Sequence, residues 1–338
     1  MIKLSFSMLI RIAALMAACV LVGCGGASST VDPLTPTRVI AFGDSFSTVD
    51  TSGYATYSVN TSSTDATVAS RIATIYGFTL KYRTSASAVI ASGTAYSYAV
   101  GTATASDTYT QIATYLANNT PGSKDLFIIT AGTQDIATAA LTNDTTAIAT
   151  AATKLTAAVQ LLTNAGAKYV LVMQPINVAR TPPFLSASGV RPVGLKWTAL
   201  INGYAQALSY DSGTACQSFS CLLSTKLNTA FPATSSHQPV LLVDLMSYFN
   251  LITGTTNTGS ANTFGTYGVT NPDLVVCTTD VPLCTTSTLA TTSTNQYTST
   301  AWTYATSVFA YDYYTTPYVN QLMGSYIYNY NFYRAGWR

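Results

Sequence analysis

The sequence predicts an α/β chain with a parallel sheet covered by helices on both faces. Short, continuously apolar or β-branched runs alternate along the chain with segments of helical spacing, and strands apolar along their whole length are strands buried on both faces. The expected strands are "RVIAF" at 38–42, "TLKY" at 79–82, "DLFIIT" at 125–130, "KYVLVM" at 168–173 and "PVLLVDL" at 239–245. The clearest helix is 144–165, where Ile148, Ala152, Leu155, Val159 and Leu162 recur at helical spacing. Asn143 or Asp144 can cap its start and Gly166 its end. A Thr/Ser-rich stretch at 254–306 breaks the alternation and reads as an insertion over the site, being too long for a plain connector. Tyr326, Tyr330 and Tyr333 then mark a closing helix at 326–333 whose rings mostly pack.

The first residues read as an export signal rather than as structure. Lys3 and Arg11 supply positive charge, residues 12–22 are almost wholly apolar, and "LVGC" ends at Cys24. The apolar stretch is too short for a spanning helix. The tetrapeptide resembles a bacterial lipobox, which would make Cys24 the acylated first residue of the mature chain; an ordinary secretory signal cleaved elsewhere is the alternative. With Gly25 after the cysteine, the resemblance implies an outer-membrane lipoprotein of the bacterial envelope, facing the periplasm or the surface. The expected organisation is a signal peptide at 1–23, a flexible tether at 24–36 and one domain at 37–338 carrying the insertion.

Composition excludes several classes. A net charge of +2 over 338 residues offers no footprint for nucleic acid. All 13 acidic residues are Asp and there is one histidine, His237, so zinc-peptidase motifs and histidine-rich metal sites are absent and no cofactor is implied. Charged residues are 8% of the chain, so hydroxyls and amides must build most of the solvated surface. Of six cysteines, four fall in the mature domain, and their spacing favours two local bridges, Cys216 to Cys221 and Cys277 to Cys284, among three pairings. Bridges suit the oxidising compartment that an export signal implies.

In an open parallel sheet ligands meet the carboxyl ends of the strands. Ser45 follows the first strand in "GDSFS", where Gly43 permits a tight turn and a helix start would bring backbone N–H groups close; the same features suit an N-cap serine without chemistry. "SYAVGTATA" at 97–105 places Gly101 in a small-residue loop. "ITAGTQD" at 129–135 places Gly132, Gln134 and Asp135 after a strand, and Asp312 lies near the end of the chain.

Together these segments resemble the GDSL (SGNH) hydrolase family of lipases and esterases. "GDSFS" is similar to its nucleophile block, "YAVGTATA" to its glycine block, and "AGTQD" stands where the family carries "GGND". "VMQPINVARTPP" at 172–183 is similar to the segment after its fourth strand. The resemblance spans roughly residues 38 to 330. It implies a flavodoxin-like three-layer α/β/α sandwich with a five-stranded parallel sheet. It also implies Ser45 as nucleophile, the N–H groups of Ser45 and Gly101 with the Gln134 side chain as oxyanion donors, and Asp44 as a brace of the turn.

Two departures stand out. Gln134 replaces the family asparagine, displacing the amide by about 1.5 Å, one bond length. In "FAYDYYTTPYVNQ" at 309–321, Asp312 is in place but Thr315 or Thr316 occupies the position of the histidine that accepts the serine proton, and threonine is no base near neutral pH. His237 precedes the last strand and is expected at the opposite, amino end of the sheet, as a surface or packing residue. Asp312 could itself act as a weak base, whereas Tyr313 and Tyr314 read as packing aromatics. Asp244 reads equally as helix cap or site residue, and Arg180 as cleft lining or solvated cation. Two functions are therefore expected in competition. One is weak serine-dependent hydrolysis of acyl esters. The other is an inactive lipoprotein of the same fold that binds a glycan, lipid or acylated ligand.

Overall fold

The computed structural model describes residues 33–49, 56–61, 63–83, 90–184, 199–211, 216–232, 238–254, 264–279, 281–289 and 303–338. The expected signal peptide, Cys24 and His237 lie outside the described residues. Packed chain begins at Leu34, inside the stretch expected as tether: its side chain is buried and its N–H donates to Trp337 O at 3.1 Å.

Six strands form the central sheet: β1 (Arg38–Gly43), β2 (Leu80–Tyr82), β3 (Thr94–Ser97), β4 (Asp125–Thr130), β5 (Tyr169–Met173) and β6 (Val240–Val243). Their order is β2-β3-β1-β4-β5-β6, and every pairing is parallel. The expectation of five is corrected to six. The missed strand, β3, is the short "TAYS", which has no apolar run because it is half-buried in alternation.

Side chains alternate across the sheet and so define two cores. Ile40, Phe42, Phe127, Ile129, Val170 and Val172 face one side. There they meet α2 (Ala105–Leu116), α3 (Thr133–Ala140), α4 (Thr145–Asn164) and α6 (Phe219–Ala230), with part of α5 (Ala199–Ser209). Val39, Ala41, Leu126, Ile128, Leu171 and Met173 face the other. Their partners are α1 (Val68–Ile75), α7 (Leu245–Ile252) and α8 (Pro317–Tyr326). This is the expected three-layer α/β/α sandwich. Truncating a fully buried ring such as Phe42 or Phe127 would cost about 3–5 kcal/mol.

α4 follows the sequence reading closely. The Asp144 carboxylate accepts from Ala147 N at 2.9 Å, Ile148 to Leu162 form the buried stripe, and Gly166 at φ +104° ends the run. The chain end differs from expectation: α8 passes into a π-helical turn, Ile327–Phe332. Tyr326 stacks between Tyr248 and Tyr330, with centroids at 4.0 and 5.3 Å, so Tyr330 packs on one side, but Tyr333 is 69% exposed and its ring is largely solvated.

The Thr/Ser-rich stretch contributes to a second, three-stranded sheet in which β7 (Asn271–Val275) pairs in parallel with β8 (Ser307–Tyr311), and β8 antiparallel with β9 (Tyr314–Thr315). Val59, Val276, Val281, Ala310 and Tyr314 give this sheet a small core of its own. Both expected disulfides are present, Cys216–Cys221 and Cys277–Cys284.

Candidate functional site

The end of β1 dictates the geometry. Gly43 has φ +114°, and a Cβ there would fall 1.6 Å from Thr130 O on neighbouring β4, so this turn admits only glycine. Its peptide is clamped by one side chain: Gly43 N donates to Gln111 Oε1 at 2.6 Å and Gln111 Nε2 donates to Gly43 O at 3.1 Å. Asp44 N then donates to Thr130 O at 3.0 Å, Ser47 N to Asp44 O at 3.0 Å and Phe46 N to Asp44 Oδ1 at 3.2 Å. Asp44 thus braces the turn as expected. Residues 45–47 are a hydrogen-bonded turn and not the expected helix start; the first helix among the described residues begins at Val68.

The Gly101 loop closes on this turn. Tyr98 N donates to Ala41 O at 2.8 Å and Val100 N to Gly43 O at 2.9 Å, which brings the Gly101 loop against the turn that carries Ser45. Both residues are buried. Among the described residues, neither the Ser45 N–H, nor the Gly101 N–H, nor the Ser45 hydroxyl has a hydrogen-bond partner. Buried backbone N–H groups are rarely left so. Two such donors flanking a free hydroxyl are what an acyl-transfer site needs: an attacking oxygen, and N–H groups aimed at the negative charge that develops.

The third segment comes from β4. Gly132, at φ +113°, turns the chain into α3, and the Asp135 carboxylate accepts from Ala105 N at 3.0 Å, pinning the start of α2 next to the Gly101 loop. Gln134 does not aim its amide at Ser45: Nε2 donates along its own helix to Thr138 Oγ1 at 3.3 Å. Burial raises the carboxyls of Asp44 and Asp135 to about 6 each. For Asp44 the bonds from Thr130 and Phe46 offset part of the rise and the Asp135 charge adds to it; for Asp135 the Ala105 N–H offsets and Asp107 adds.

Asp312 sits half-buried in the turn between β8 and β9. That hairpin reaches the Gly101 loop through aromatic contacts that the sequence did not reveal. Tyr314 meets Tyr57 edge-on at 5.1 Å, and the Tyr57 ring lies directly over Gly101, where a Cβ would come within 2.2–2.3 Å of three ring carbons. Tyr313 packs on Phe184 at 6.1 Å, so both tyrosines are packing aromatics, as expected. The two threonines at the histidine position are held by structural bonds. Thr315 Oγ1 donates to Asn320 Oδ1 at 2.5 Å, while Thr316 Oγ1 donates to Ser307 O at 2.6 Å and accepts from Val319 N as the cap of α8.

The remaining candidates resolve simply. Asp244 caps α7, accepting from Ser247 N at 3.0 Å. Arg180 is neither solvated nor free, its guanidinium pairing with Asp273 at 3.2 Å. Among the described residues one grouping has metal-ligand spacing, Asp211 with Cys216 and Cys221, but both sulfurs are tied in the disulfide, so it offers a carboxylate alone. β6, the strand that follows His237, starts at the amino end of the sheet, opposite the Ser45 turn.

A parallel three-layer sandwich with a strand-end turn bearing serine and unpaired N–H groups defines a class, the lipase- and esterase-type hydrolases of α/β architecture. The GDSL-like lipase/acylhydrolase family model matches residues 39–273, and the chain belongs to this family. The match includes Ser45, Gly101 and Gln134 and stops short of Asp312. Among solved structures the chain is similar to a member of the lipolytic protein G-D-S-L family from Veillonella parvula DSM 2008, at 14% identity and a TM-score of 0.34, over 62% of this chain and 78% of that chain. None of the curated proteins matches.

Proposed function

We propose that the protein is a serine ester hydrolase acting on acyl esters, with Ser45 as nucleophile and the N–H groups of Ser45 and Gly101 as oxyanion donors. The observation that carries this reading is that the N–H groups of two buried residues, Ser45 and Gly101, and the Ser45 hydroxyl are without hydrogen-bond partners where two bonded loops meet. Ser45 Oγ attacks the ester carbonyl and its proton passes to the Asp312 carboxylate. The C–O bond then breaks, the departing alcohol takes that proton, and water repeats the cycle to release the acid. Each donor aimed at the developing oxyanion lowers the barrier by about 3 kcal/mol, so two of them sustain turnover when the base is weak. A carboxylate is a poorer base than imidazole, and the expected rate is low, on the order of the 10³–10⁴-fold over water left when a triad loses its base. Gln134 can join as a third donor by giving up its bond to Thr138, at a cost of about 1 kcal/mol.

Purified protein and Ser45→Ala should be compared on p-nitrophenyl acetate. Activity confined to the wild type supports the reading, and equal rates would end it. A second reading, a ligand-binding protein that has lost turnover, is favoured by Thr315 and Thr316, whose hydroxyls are bound into the fold where the family places its base. A fluorophosphonate probe separates the two, because covalent labelling at Ser45 requires an activated hydroxyl. The chain is also proposed to be a bacterial envelope lipoprotein acylated at Cys24, a role that loss of metabolic palmitate labelling in Cys24→Ser would support.

A further inference from the structure

The contact between Tyr57 and Gly101 belongs to no part of the chemistry above. Ring carbons lie 2.2–2.3 Å from the point a Cβ of Gly101 would occupy, hence within about 3.8 Å of its Cα, given a bond of about 1.5 Å. A carbonyl oxygen held by the Gly101 N–H sits about 3 Å from that nitrogen. On the proposed reading, a substrate held at that N–H therefore lies near the Tyr57 ring. The ring is a fixed wall. Tyr314, itself buried, backs it edge-on, and Ser58 Oγ donates to Thr315 O at 2.7 Å. Asn60 clasps the other side: its backbone N–H and its Nδ2 both donate to Cys284 O at 2.9 Å, and Nδ2 also donates to Pro282 O at 2.6 Å. The Cys277–Cys284 bridge closes the loop that accepts these bonds. Swinging Tyr57 away would require the small core around Val59 and Tyr314 to move with it.

We infer that Tyr57 is the specificity-determining residue of the site, limiting it to esters of short acyl groups, acetyl to butyryl, through a rigid aromatic wall over Gly101. The inference rests on the proposed hydrolase reading, and its test separates the two. The full chain, Tyr57→Ala, Tyr57→Phe and Ser45→Ala are assayed on p-nitrophenyl esters from acetate to decanoate, and the same proteins are titrated with dansyl-labelled undecanoate. Tyr57→Ala is expected to raise the octanoate-to-acetate ratio of kcat/KM at least tenfold and to bind the dansyl probe at least tenfold more tightly than wild type, whereas Tyr57→Phe keeps both wild-type values. An unchanged ratio or unchanged probe affinity in a folded Tyr57→Ala protein overturns the inference. Equal hydrolysis by Ser45→Ala and wild type would instead remove the hydrolase reading, and the probe titration would still decide on Tyr57, since it needs no reactive serine.

Discussion

Replacing Gly101 with alanine isolates the aromatic contact at the site. Unlike Gly43, Gly101 does not have φ in the left-handed region, so alanine suits its backbone and any penalty comes from what its Cβ would touch. That Cβ would lie 2.2 Å from Tyr57 Cδ2, while unstrained carbon atoms stay about 3.5–4.0 Å apart, so the ring must retreat by about 1.5 Å. It would retreat against Tyr314 and the disulfide-closed loop, which makes this an overpacking substitution costing about 1–3 kcal/mol. Urea unfolding of Gly101→Ala, Tyr57→Ala and the double variant measures the cost and its source. The double variant should be no less stable than Tyr57→Ala alone, leaving a coupling of about 1–3 kcal/mol between the two positions. A Gly101→Ala protein within about 0.5 kcal/mol of wild type, or a penalty that persists once the ring is gone, would refute the reasoning.

Stability should rise as pH falls from 7.5 to 5. The carboxyls of Asp44 and Asp135 are raised to about 6 by burial, so their contribution is complete below about 4 and is lost as pH rises through 6, reaching roughly 2–3 kcal/mol for each group. Melting temperatures of wild type and Asp135→Asn across this range check it, the variant showing the shallower slope. Arg38 donates to Asp125, Ile90 O and Thr120 O in the sheet interior, so Asp125→Ala should cost about 3–5 kcal/mol in urea by leaving a buried cation unpaired. Asn60→Ala removes the Nδ2 bonds to Cys284 O and Pro282 O, leaving the backbone bond to Cys284 O, and should speed limited proteolysis near residues 56–61 severalfold, read by peptide mapping.

Legibility in the sequence followed physical cause. β1, β4 and β5 were readable because strands buried on both faces must be apolar throughout, and α4 because its buried stripe and its Asp144 cap repeat on a fixed period. Both cysteine pairs were readable because five and seven residues of separation leave them in easy reach of each other. β3 was hidden, since "TAYS" carries one alanine and one tyrosine rather than an apolar run. The second sheet was hidden too, because β7 and β8 come together across a threonine-rich stretch that has no hydrophobic period. At the site, the glycine turns and Asp44 could be read from local chemistry. The seat of Tyr57 over Gly101 could not, because it depends on a contact between segments distant along the chain, and the turn of Gln134 toward Thr138, four residues on in the same helix, is a side-chain orientation that the family resemblance did not suggest.

Four helix starts share a trait with a wider consequence, while Asp144 and Asp244 cap two others with carboxylates. Thr67, Thr104, Ser218 and Thr316 cap the four with hydroxyls, and two of these caps are reciprocal. A hydroxyl terminates a helix dipole without carrying charge, so dissolved ions have little to screen there. Of the three ion pairs among the described residues, Arg38–Asp125 is shielded from bulk water. A framework held this way should keep its shape from dilute buffer to brine, whatever the mineral content of the surroundings it meets.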